Sequence, residues 1–83
     1  MAYQRITTAT TTQVDTGKAN RVLLQVNEDL TGTITVIDGT SGTTANVAVI
    51  TNPSSSESFE YWDFNNGIRI VTSAVCDITV SYR

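Results

Sequence analysis

No histidine occurs anywhere in the 83 residues, and there is one cysteine, one proline and one tryptophan. The missing imidazole removes the commonest general base and the commonest neutral metal ligand, so histidine-dependent triads and zinc sites drop out. No cofactor is expected. A lone Cys76 has no intramolecular disulfide partner, so a chain of this size must draw its stability from packing, association or docking on a larger body. Basic residues are few, and Arg5, Lys18, Arg21, Arg69 and Arg83 are scattered against eight acidic ones, giving a net charge of −3. That leaves no positive track for a nucleic-acid backbone. No run approaches the roughly 18 to 20 apolar residues of a membrane span. Nor does MAYQRITTATTT contain the apolar core of a signal peptide, and the expectation is a soluble chain made in the cytoplasm.

What is present is β-branched. Threonine, valine and isoleucine dominate, side chains that lose rotamer freedom in helices and fit the pleated surface of a strand. The chain reads as all-β and as one domain, since a chain this short has no room for a second core. Residues 1–12 hold Tyr3 and Ile6 and then a Thr tract with little to bury, which suggests an extended arm or an edge strand ahead of a β-domain over 13–83. RVLLQVN sets Val22, Leu24 and Val26 on one face. TITVID turns Ile34 and Val36 inward, and Asp38-Gly39 begins a hairpin signal. Ala45, Val47 and Val49 share a face of the next strand, and NPSSSES reads as an exposed, mobile loop. ESFEYWDF places Trp62 and Phe64 opposite Phe59 and Tyr61, so that one pair is core and the other covers an edge or meets a partner. After the Asn65-Asn66-Gly67 turn, Ile68 and Ile70, then Cys76, Ile78, Val80 and Tyr82, line one side. About seven short strands predict an antiparallel β-sandwich or small barrel, its last strand inside a sheet.

Candidate chemistry is sparse. Val14-Asp15-Thr16-Gly17 echoes the Asp-Thr-Gly of aspartic proteases, but Lys18 follows and neither a flap nor the supporting apolar-Gly element is visible. A turn after a short strand explains it better, and no enzyme is expected. Gly17-Lys18 lacks the rest of a phosphate loop. Glu28 with Asp29, and Asp63 with Asn65, lack the spacing of a calcium loop. Cys76 reads as a small buried hydrophobe. The aromatic cluster around Trp62 has three readings: core, inter-subunit contact, or a platform for stacking sugars.

Two segments carry a resemblance. Gly32 to Thr40, GTITVIDGT, and Gly67 to Ser73 with Asp77 to Arg83, GIRIVTS and DITVSYR, resemble recurring hairpin and C-terminal strand motifs of small virion proteins of tailed bacteriophages. The resemblance extends over about residues 21–83. It implies a structural role on the virion, foremost a capsid decoration or cement protein on the outer shell, with the major capsid protein and copies of itself as partners. Under it, Tyr3, Ile6 and the Thr tract lie along a neighbouring chain, and Trp62 or Phe64 anchors a contact. The alternatives are a tail, fibre or head-completion component, and a receptor-recognition module in which Trp62, Asp63 and Asn65 hold a glycan.

Overall fold

The computed structural model describes residues 2–40 and 46–83, so Ala45 and most of the turn after Gly39 lie outside the described residues. Eight strands follow in order: β1 (Ala2–Ile6), β2 (Thr11–Asp15), β3 (Ala19–Val26), β4 (Thr33–Asp38), β5 (Asn46–Thr51), β6 (Ser58–Phe64), β7 (Ile68–Thr72) and β8 (Ile78–Tyr82). They build two four-stranded sheets, sheet A in the order β1-β8-β3-β6 and sheet B in the order β2-β7-β4-β5. Every pairing is antiparallel. The fold is therefore an all-β sandwich, and this strand order is that of a jelly roll. Only the β4–β5 connection stays within one sheet; each of the others crosses between the layers.

Alternation explains the core. Val22, Leu24, Ile78 and Val80 from sheet A and Ile34, Val36, Ile68 and Ile70 from sheet B are all fully buried, as the period of two requires of facing sheets. At roughly 1.5–3 kcal/mol for each fully buried aliphatic side chain, these rows dominate the favourable side of folding. The terminal strand sits inside sheet A, flanked by β1 and β3. Ala2–Ile6 lies at an edge of sheet A and pairs with β8 from Ala2↔Tyr82 to Ile6↔Ile78.

Polar side chains fasten the crossings. Thr72, buried at the end of β7, donates through Oγ1 to the Thr8 carbonyl (2.7 Å) and accepts from the Thr10 N–H (3.1 Å). The Thr-rich segment is thereby the corner that carries the chain from sheet A to sheet B. Cys76 is buried as expected, but in the β7–β8 connection rather than in a strand, and its thiol donates to the Ile6 carbonyl at 3.5 Å. Burial pushes that thiol's pKa up, away from reactivity. At the opposite end, Asp38 accepts from the N–H groups of Asn65 (3.1 Å) and Asn66 (2.8 Å) and holds the β6–β7 turn. Gly67 has φ 135°, and a Cβ there would lie 2.8 Å from the Asp15 carbonyl oxygen and 2.9 Å from that of Gly39. Only glycine fits.

The NPSSSES loop is exposed apart from Pro53, yet its backbone is tied down. Ser54 N–H donates to Glu57 Oε1 and Ser55 N–H to Asp29 Oδ1, both at 2.7 Å, and Ser56 N–H to the Val26 carbonyl at 2.9 Å.

Candidate functional site

Three surface features carry side chains that packing does not require: the outer face of sheet A, the edge strand β5, and the acidic turns. The outer face of sheet A is set by register. Trp62 pairs with Arg21; Glu60 pairs with Leu23, Leu23 with Ser81, and Ser81 with Tyr3. Because Val22 and Leu24 point inward, this whole set points out.

At one corner the Arg21 guanidinium carbon lies 5.5 Å from the centroid of the Trp62 ring, within cation–π range. Arg21 Nη2 also donates to Glu60 Oε1 at 2.9 Å, while its Nε is covered and makes no hydrogen bond. Trp62 remains 61% exposed. Across the sheet, Tyr3 on the edge strand is 74% exposed. Below it, Arg5 donates from Nε (2.8 Å) and Nη2 (2.5 Å) to the two oxygens of Asp77, a bidentate pair. Asn27 Nδ2 adds bonds to Asp77 Oδ1 (3.1 Å) and Thr79 Oγ1 (3.0 Å). Arg5 first and Asn27 second, by hydrogen bonding, hold the Asp77 carboxyl down to about 2. The outer face of sheet A is thus a surface pre-ordered by ion pairs and hydrogen bonds, with an exposed aromatic at each side.

The expected contact residues divide. Tyr3 and Trp62 are displayed together on this face, whereas Ile6 and Phe64 are 3% and 2% exposed and belong to the core. Phe64 is a correction to simple alternation, which puts it beside Trp62. Asp63 adopts φ 60°, a left-handed residue inside the strand, and this swings Phe64 to the inner side against Ala19. The signal was present in the Asp-Phe-Asn-Asn-Gly run, since Asp and Asn tolerate positive φ.

Val47 and Val49 share a face as read from the sequence, and it is the outward one: they are 43% and 56% exposed, while Ala48 and Ile50 pack against the core. Asp15 is the half-buried last residue of β2, and Thr16 and Gly17 form the bend after it. Its carbonyl, with those of Gly39 and Ile68, accepts from Gln13 Nε2 at 2.7 to 3.1 Å. Asp29 is engaged with the Ser55 N–H. Among the described residues, no group of three or more Cys, Asp or Glu side chains is arranged to hold a metal ion.

In comparison with known proteins, the chain matches no family model, no curated protein and no solved structure.

Proposed function

We propose that this protein is a structural component of a tailed-phage virion, a capsid decoration protein that docks on the outer shell through the outer face of sheet A. One observation carries the reading. The residues through which the chain resembles small phage virion proteins are the residues that fix the turns and crossings of its jelly roll. Gly32, with φ 150°, lies so close to Ser73 that a Cβ there would meet Ser73 Oγ at 2.5 Å, and Ser73 Oγ accepts from the Thr33 N–H at 2.7 Å. Asp38 and Gly67 set the other end, Thr72 anchors the β1–β2 corner, and Asp77 pairs with Arg5. The matching residues therefore do structural work in this chain beyond keeping its alternation. Jelly rolls serve as capsid and lectin domains, which is support by analogy of fold.

The docking face follows from its chemistry. A surface with exposed Trp62 and Tyr3 around ordered arginines has the composition of a protein-binding patch, in which Trp, Tyr and Arg carry most of the energy. The test is co-sedimentation of the protein with capsids assembled from the major capsid protein of the same genome. Saturation at a copy number matching the capsid lattice is expected, with Trp62→Ala weakening binding by about tenfold, the equivalent of ~1.4 kcal/mol. Absence of binding by the wild-type protein overturns the reading.

A glycan-binding role is the second reading, favoured by the exposed Trp62 beside exposed Asp63 and Asn65. Binding to a glycan array that is lost in Trp62→Ala, together with no binding to capsids, establishes it instead. Saturation at only a few copies per particle assigns the protein to a vertex or the tail.

A further inference from the structure

Four strands lie at sheet edges: β1 and β6 in sheet A, β2 and β5 in sheet B. An edge strand presents unpaired backbone groups, and natural sheets guard such edges with charge, bulges or bends. Three of the four are guarded in this way. Strand β1 carries Arg5, β2 ends on Asp15, and β6 carries Glu60 and Asp63 and bends at the left-handed Asp63.

Strand β5, Asn-Val-Ala-Val-Ile-Thr, has neither charge nor proline. Its register with β4 shifts only at its start, where Val36 pairs with Ala48 but Ile37 with Asn46. Beyond that point the ladder is regular. Asn52 N–H donates to the Gly32 carbonyl at 2.8 Å, which fixes the alternation. Ile50 and Ala48 direct their backbone groups to β4, and Val49 and Thr51 direct theirs off the edge.

We propose that β5 is the surface through which two copies of this chain associate, its strand pairing antiparallel with that of the second copy about a twofold axis through Val49. The two sheets B then become one eight-stranded sheet. Off-edge N–H and C=O groups that otherwise bond to water form a template for an added extended strand. A second copy supplies one whose register is self-complementary: Val49 faces Val49, Val47 faces Thr51, and Ala48 faces Ile50, each pair uncharged and on one face. The contact is isologous, as twofold dimers require. Charge argues for the same edge. Two molecules of net charge −3 repel, and β5 lets them meet without facing carboxylates, which the β6 edge with Glu60 and Asp63 does not. The inference is independent of capsid binding.

Sedimentation velocity of the full chain over a concentration series tests it. A monomer–dimer equilibrium is expected. Val49 is outward and its replacement spares the core, so Val49→Lys and Val49→Glu each fold and each weaken association at least tenfold by placing like charges across the axis. An equimolar mixture of the two restores the dimer, because residue 49 then meets its opposite charge. Hydrogen exchange of the wild-type protein gives a second readout: the Val49 and Thr51 amides gain protection as concentration rises, while Ala48 and Ile50 are protected throughout. A protein that stays monomeric at every concentration, variants that associate like the wild type, or a mixture that fails to recover overturns the proposal. If Val49→Lys alters only the number of copies on capsids, the strand that adds to β5 belongs to the capsid and the second copy is wrong.

Discussion

Sheets A and B turn the same kind of side chain inward, Val22, Leu24, Ile78 and Val80 against Ile34, Val36, Ile68 and Ile70, none with any exposed surface. Outward they differ. Sheet A carries Arg5, Arg21, Glu60, Trp62 and Tyr3, with Arg5 and Arg21 each ion-paired, whereas sheet B presents Thr11, Thr35, Val49 and Val71 in one row from edge to edge. Facing rows share one requirement, to fill the space between layers at close-packed density, and so converge on branched aliphatics. Outer faces answer to whatever they meet, and their divergence separates the two contacts proposed above: an aromatic and charged one on the face of A, a neutral one on the edge of B.

The largest expected effects test the equality of the inner faces. Leu24→Ala in sheet A and Ile70→Ala in sheet B should each cost about 2–5 kcal/mol, read by chemical denaturation. A much smaller loss in one sheet would mean that the two do not share one core. Next come the glycines at the two ends of the sandwich. Gly67→Ala drives a methyl onto backbone carbonyls in a left-handed conformation and should cost about 3 kcal/mol. Gly32→Ala, at φ 150°, is strained as well but meets a serine hydroxyl in place of backbone, and should cost less, about 2 kcal/mol. A thermal melt separates them, since each kcal/mol moves Tm by about 4–8 °C in a domain of this size.

Effects on the outer faces should be smaller for stability. Trp62→Ala should change unfolding free energy by no more than about 1 kcal/mol while reducing capsid binding. The smallest effect is confined to acid. The carboxyl of Asp77, held down to about 2 in the folded protein, lies below its ordinary unfolded value, so the stability it contributes is present above pH ~4 and lost as pH falls toward ~2. Asp77→Asn should flatten that slope and leave the curve above pH ~5 parallel to that of the wild type. An unchanged slope would assign the acid sensitivity to other carboxylates.

Local periodicity made β3, β4, β7 and β8 legible in the sequence, because each carries an alternating row of buried aliphatics and is flanked in the sheet by two neighbours. The edge strands were harder. In β1 and β2 only Ile6 and Val14 are buried, so alternation is faint and the corner between them is marked by Thr72, more than sixty residues away. Phe64 was misplaced because a single left-handed residue shifts the phase of the strand, which no rule of two can foresee. Strand order was not readable at all: seven strand connections yield one hairpin, and the remaining pairings join segments whose affinity lies in shape and not in neighbouring sequence. Of the candidate contact residues, Tyr3 and Trp62 stand on the surface, and their placement on one face emerges only from the register of four strands.

The pairing of Ala2–Ile6 with Ile78–Tyr82 has a consequence for synthesis. On the ribosome, β1 emerges first and has no neighbour in its sheet other than β8, which is made last. Strand β3 likewise waits for β6 on one side and β8 on the other. The β4–β5 hairpin can close while the chain is growing, but sheet A cannot begin until β6 exists and cannot be completed until residue 82 has left the tunnel. Until then the inward rows of β3 and β4 are open to water and to other chains, and such non-local pairings close slowly, on the millisecond-to-second scale. Threonine at outward positions, Thr33 and Thr35 in β4 and Thr79 in β8, keeps the β-branched shape of a strand residue without adding a further apolar row to a chain that must wait.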